Sequence, residues 1–205
     1  MKQKGPRPDA RGGRCWQHEL STRFNAVTTA LDNARLETIL DAISDRLPGD
    51  WLVLGGALVS VWLDARRTTE DVDVIGLGGT LAERYALLRL AGDLGLAPET
   101  LISASDFFLE QIPGWRDELE VWKRGAVGTI WRPSPTLLVM LKSGRLSTQD
   151  LADCEAAIAC ARDEELPLDV ARLLGWIAAL PPTGDAALAK RRERLARLVE
   201  QQATG

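Results

Sequence analysis

Histidine is almost missing from this chain: 205 residues contain one, His18. It lies in a polar N-terminal stretch, so His-rich zinc sites and Ser-His-Asp triads have almost nothing to be built from. Cysteine is scarce as well. Cys15, Cys154 and Cys160 form an odd set without framework spacing, which points to a reducing compartment rather than to disulfides. No apolar run reaches membrane-spanning length, and no apolar core follows the basic N-terminus closely enough for a signal peptide. The expected location is the cytoplasm, with no membrane partner. Excess positive charge is absent too. A formal net charge of −4 argues against a generic nucleic-acid binder. What these gaps favour is carboxylate and metal chemistry.

The chain is 45% hydrophobic and 26% charged, enough to bury the core of one domain with a small helical appendage. Positive charge gathers locally. Lys2, Lys4, Arg7, Arg11 and Arg14 crowd the start against Asp9 alone. Residues 1–22 lack periodicity and read as a disordered basic tail. A second run, Lys190 to Arg197, reads as a solvated helix face.

Helical spacing begins with Leu36, Ile39, Leu40, Ile43 and Leu47, and Pro48-Gly49-Asp50 stops it. Trp51–Leu54 reads as a short buried strand, and Gly55-Gly56 opens a helix to about Asp64. Asp71–Ile75 reads as a second strand. Thr80 caps a helix to about Leu94, with Leu81, Tyr85, Leu88 and Ala91 or Gly92 on one face. Residues 98–108 read as a loop and short helix. Leu119–Trp122 and Val127–Trp131 form a predicted hairpin around Lys123–Gly125. Ser134-Pro135 starts a helix to Lys142, and Ser147 with Asp150 starts another to about Arg162. Two more helices follow, from Pro167 and Asp185. The predicted organisation is an α/β (α+β) core over 23–133, a small mixed sheet flanked by helices, followed by a helical part over 134–205.

The chemistry concentrates between Trp51 and Ile75. A strand running into Gly-Gly and then a helix lets backbone N–H groups approach a phosphate closely, although a tight turn needing small residues explains the pair equally well. Asp71 and Asp73 are two apart in a strand-like run, so both point to one face. Two like charges there contribute nothing to a core. They make sense around a hard cation, which takes carboxylate oxygens together with substrate phosphates. Exposed acids on a solvated face are the plainer explanation, but aspartate is depleted in strands. Arg67 and Thr69 precede the pair, so the unit reads Gly-Gly, a helix, then Arg-x-Thr-x-Asp-Val-Asp.

That unit resembles the DNA polymerase β-like nucleotidyltransferase superfamily, in particular the bacterial branch of the abortive-infection Eii toxins (type IV toxin–antitoxin systems). Lys142-Ser-Gly-Arg145 followed by Gln149-Asp150 and Asp153 resembles the same branch's second motif. The resemblance covers roughly Trp51 to Ala161. It implies that Gly55 and Gly56 face nucleotide phosphates, beside Arg67 and Thr69. It implies Asp71 and Asp73 as ligands of Mg²⁺ or Mn²⁺, with an NTP as substrate. Lys142 would contact a phosphate or orient the acceptor, supported by Asp150 or Asp153. RNA or protein would be the acceptor, and a helix-turn-helix antitoxin would oppose the activity. A third carboxylate, usual in this superfamily, has Glu120 as its candidate, with Glu118 on the same predicted face. Neither sits in a motif. Without a third acid the protein would use one metal, act slowly, or only bind nucleotides.

Overall fold

The computed structural model describes residues 30–103 and 108–203. The basic stretch at 1–22, with His18 and Cys15, lies outside the described residues, as does part of the loop and short helix expected at 98–108.

Asp32 accepts from the Arg35 N–H and caps helix α1, Asn33–Arg46, whose Leu36, Ile39, Leu40 and Ile43 are buried. Strand β1, Gly49–Val53, leads into the eight-residue helix α2, Gly55–Trp62. Strand β2 is Val72–Gly76 and helix α3 is Leu81–Asp93. A three-residue strand β3, Leu101–Ser103, stands where the sequence suggested loop and helix. It is too short to show a period, and it is recognisable only by its parallel pairing with β2. A 3-10 turn, Trp115–Glu118, precedes β4, Leu119–Arg124, and β5, Gly128–Pro133. Helices α4, Pro135–Ser143, α5, Thr148–Asp163, α6, Val170–Ala179, and α7, Ala186–Gln202, complete the described chain.

The five strands form one mixed sheet in the order β3-β2-β1-β5-β4. β1 pairs antiparallel with β2 and parallel with β5. The predicted hairpin is present, with its turn at residues 125–127 and a bulge between Val121 and Lys123. The protein is thus a mixed α/β (α+β) fold whose strands all precede residue 134. One buried cluster draws on the sheet and on the C-terminal helices, from Leu36 and Val74 to Leu195 and Val199.

Register fixes the faces of the sheet, because paired residues share a face. Trp51 pairs with Ile130 and Val53 with Val74; all four are buried. The Trp51 indole donates to the Leu47 carbonyl at 3.2 Å, so this face lies under the end of α1. Leu52, Ile75 and Trp131 share the opposite face, and by alternation Asp73 joins them.

Helix α3 departs from expectation. Leu87, Leu90 and Ala91 turn inward, while Leu81, Tyr85 and Leu88 are 63%, 60% and 49% exposed. Apolar residues cover so much of its circumference that spacing alone leaves two candidate core faces. The basic run on α7 also differs from a free solvated face. Arg191 donates to the Leu146 carbonyl, Arg192 to that of Pro181, and Arg194 pairs with Glu155. Of the tryptophans, Trp51 and Trp115 are buried, whereas Trp62, Trp122, Trp131 and Trp176 are only partly so.

Candidate functional site

As β1 ends, the Leu54 N–H donates to the Asp73 carbonyl at 2.9 Å. The turn into α2 therefore sits directly beside β2. Gly55 adopts φ 65°, a conformation open to glycine and strained for other residues. A Cβ built on Gly55 would overlap the Asp73 carboxylate. One built on Gly56 would fall 2.7 Å from the Thr69 hydroxyl and 3.8 Å from Arg67 Nη2. No side chain caps α2, so its first N–H groups keep their capacity to donate to an external acceptor.

The segment between α2 and β2 is held on two sides. The Ser60 hydroxyl donates to the Arg67 carbonyl at 2.6 Å. Leu31 and Thr69 exchange backbone hydrogen bonds at 2.6 and 3.3 Å, a bridge with no sequence signal. So held, the Thr69 hydroxyl donates to Asp71 Oδ1 at 3.0 Å. Asp71 itself lies one residue ahead of β2, and both it and Asp73 remain partly exposed.

Asp73 is the unusual carboxylate. Among the described residues no hydrogen bond or ion pair reaches its side chain. Burial raises its carboxyl above the ordinary 3.8, the Asp71 charge adds to that, and the Lys142 charge opposes it. Lys142 stands in the last turn of α4, so a charge from the second half of the chain acts on this carboxylate.

The second half is an ion-pair network. Lys142 donates to Asp153 at 2.8 Å and to Asp150 at 3.3 Å. Arg67 also donates to Asp153, as does the Gln149 amide at 3.1 Å. Arg145 grips both oxygens of Asp150, at 2.9 and 3.0 Å. Asp150 further accepts from the Ser147 N–H and hydroxyl, closing a capping box at the start of α5. Asp150 and Asp153 are only 1% and 2% exposed. Burial acts to raise the Asp150 carboxyl, but the Arg145 and Ser147 hydrogen bonds and the Lys142 charge outweigh it and hold it well below the usual range.

The structure thus brings Gly55, Gly56, Arg67, Thr69, Asp71 and Asp73 together and links them to Lys142, Asp150 and Asp153. It does not bring Glu120 to them. Glu120 pairs with Arg132 at 2.9 Å, and Arg132 stacks over the Trp62 ring at 3.9 Å. The register sets Glu120 on the sheet face opposite Asp73, and β4 lies three strands from β2, roughly 14 Å at the usual spacing. Glu118 accepts from Ser134 and Arg172, tying the 3-10 turn to α4 and α6. Arg145, Gln149 and Ser60 take supporting parts that spacing did not assign. Two clefts elsewhere, of about 660 and 450 Å³, include none of the site residues.

Asp71 and Asp73 suit a hard divalent cation: both are oxygen donors, one lacks any other partner among the described residues, and a glycine keeps the space beside it clear. Among the described residues no group of three or more His, Cys, Asp or Glu side chains is arranged to hold a metal. A cation here would complete its shell with water and phosphate, as Mg²⁺ commonly does. Among the described residues, too, no helix is long and apolar enough to cross a membrane. No family model, no curated protein and no solved structure matches the chain.

Proposed function

We propose that this chain is a Mg²⁺- or Mn²⁺-dependent nucleotidyltransferase of the DNA polymerase β-like kind, moving a nucleoside monophosphate from an NTP to a hydroxyl on RNA or protein. The observation that carries this reading is the proximity of Gly55 to Asp73. An uncapped helix N-terminus and an unpartnered carboxylate occupy one spot, and a metal-bound triphosphate requires both together. The Gly55 and Gly56 N–H groups bind phosphate oxygens. Lys142, steadied by Asp150 and Asp153, faces the same ligand as a fixed positive charge. Arg67, held by Asp153, keeps the loop before Asp71 in register. A bound divalent ion supplies neutralisation of charge on the transferring group. The acceptor oxygen bonds to the α-phosphorus, the bond to the β-phosphate oxygen breaks, and pyrophosphate leaves while the hydroxyl proton passes to water.

Incubation with each NTP, Mg²⁺ and cellular RNA or protein tests the reading. Label on the α-phosphate should reach the acceptor with release of pyrophosphate, and Asp73→Asn should lose both. Absence of pyrophosphate release with every NTP and acceptor fraction overturns it.

One observation favours a second reading, a nucleotide-binding module without turnover: Glu120 is engaged by Arg132 and supplies no third acid. Under either reading Mg²⁺-NTP raises the melting temperature, because it binds the native state. Only the enzyme releases pyrophosphate. The toxin reading adds that induced expression in bacteria arrests growth, that Asp71→Asn abolishes the arrest, and that a co-expressed helix-turn-helix antitoxin relieves it.

A further inference from the structure

Helix α3 is anchored from behind. Arg35 donates to the Leu94 carbonyl at 3.3 Å, Arg46 pairs with Asp93, and Leu87, Leu90 and Ala91 are buried. Its outer face carries Leu81, Tyr85 and Leu88, spaced i, i+4, i+7 and about half or more exposed. At the helical repeat these three fall within roughly 60° of one another, a single narrow ridge. Arg84 flanks the ridge on one side and Arg89 on the other. Both are exposed, and neither joins an ion pair among the described residues. No free acid offsets them on this helix. Glu83 is turned back onto Thr80 and the Gly78 N–H, and Asp93 is taken by Arg46.

We infer that this face is a docking site for an amphipathic helix of another protein, with apolar residues along its centre and acidic residues along its edges. The charges select this occupant. In a second copy packed antiparallel, with Tyr85 against Leu88, each arginine lies on the same flank as its own counterpart; packed parallel, Arg84 faces Arg89 of the other copy. Both arrangements set like charges together in a forming interface, which costs affinity. A helix with acidic edges satisfies both arginines while its apolar residues cover the ridge. Tyrosine and arginine are also the side chains that most often dominate interface energy. A lipid surface is the poorer fit, because a ridge of three residues buries little against a bilayer. The inference is independent of the nucleotidyltransferase reading.

The test uses the full chain and a fluorescent synthetic peptide of about 18 residues, long enough to hold a helix on binding. It carries leucines at i, i+3, i+4 and i+7 with glutamates at the flanking positions. A matched peptide has lysines for the glutamates, and vesicles of phosphatidylcholine with phosphatidylserine form a third arm. The glutamate peptide should bind saturably by anisotropy. Its Kd should rise at least roughly tenfold in Tyr85→Ala and in the Arg84→Glu/Arg89→Glu double variant. The lysine peptide should bind only the double variant. Unchanged melting temperatures establish that the variants fold, as expected for exposed positions. Four results overturn the inference: no binding up to about 1 mM; equal binding of both peptides; vesicle binding lost in the same variants; or self-association of the chain relieved by Tyr85→Ala.

Discussion

Arg67 donates to Asp153 across 86 residues of chain, and both side chains are largely withdrawn from solvent. This pair joins the loop ahead of Asp71 to helix α5, and Asp153 simultaneously holds Lys142. Removing the shared acid strands the partly buried Arg67 and leaves Lys142 only its longer contact with Asp150. Asp153→Ala should therefore cost ~3 kcal/mol, in the range for breaking a buried pair from one side. Adding Arg67→Ala should cost less than the sum of the two single changes, with a coupling of ~1–2 kcal/mol. Denaturant unfolding of the four proteins measures this; strict additivity would mean that the pair carries no energy.

Gly55 can be tested against Gly79. Both have positive φ, 65° and 68°, but a Cβ on Gly79 meets nothing within 4 Å. Gly79→Ala should cost only backbone strain, ~1 kcal/mol. Gly55→Ala adds the overlap with Asp73. It should destabilise further and abolish the rise in melting temperature with Mg²⁺-NTP, which Gly79→Ala should retain. Equal behaviour of the two variants in thermal melts would dissociate Gly55 from the site.

The fold was largely legible because its signals are local. Pro135 at the head of α4, Ser147 with Asp150 at the head of α5 and Asp185 at the head of α7 are short-range chemistry, and each marks an observed helix start. Strand β3 and the Leu31–Thr69 bridge escaped, because pairing alone defines them and nothing in three or fewer residues announces a distant partner. The inward face of α3 escaped because Leu81, Tyr85 and Leu88 keep helical spacing as well as the buried set does. At the site, spacing pointed to Asp71 and Asp73 as a pair, and the Asp71 charge acts on the Asp73 carboxyl. That Lys142 shares Asp153 with Arg67 needed the packing of α5.

Asp150 gives a pH signature. Its folded carboxyl lies below its ordinary 3.8, so between those values the unfolded chain binds more protons and stability rises with pH. The stabilisation is complete well above 3.8, begins to fade as pH falls toward that value, and is lost as pH falls on through the folded value. Asparagine at this position does not titrate. Asp150→Asn should cost ~2 kcal/mol at pH 7, below the full figure for a buried pair because Arg145 is mostly exposed. In urea unfolding at pH 7, 5, 3.5 and 2.5, the gap between wild type and variant should narrow at the two lowest values. A gap that widened there would reverse the assigned sign.

Glu120→Gln separates the two sheet faces. Its carboxylate engages Arg132 on the face away from Asp73. The change should leave Mg²⁺-NTP binding and transfer of label within about twofold of wild type, and lower stability by less than ~1 kcal/mol, as for a partly exposed pair. Loss of transfer with binding intact is the pattern of a group acting on the transition state, and it would return Glu120 to the chemistry.

Asp71→Asn tests the acid pair most directly. Thr69 donates to Asp71, and an asparagine oxygen can still accept that hydrogen bond, so the loop should survive the change. The substitution also removes the neighbouring charge that raises the Asp73 carboxyl, and so relieves repulsion in the free protein. The apo melting temperature should therefore stay level or rise. A neutral amide is nonetheless a poorer ligand for a hard cation. Calorimetric titration with NTP should show an affinity gain from Mg²⁺ in the wild type and a loss of at least roughly tenfold in that gain in the variant, about 1.4 kcal/mol. Added stability together with lost metal linkage is the signature of a carboxylate pair kept for a cation. Equal Mg²⁺-dependent affinity in the two proteins would remove Asp71 from the metal site and leave Asp73 as its only carboxylate.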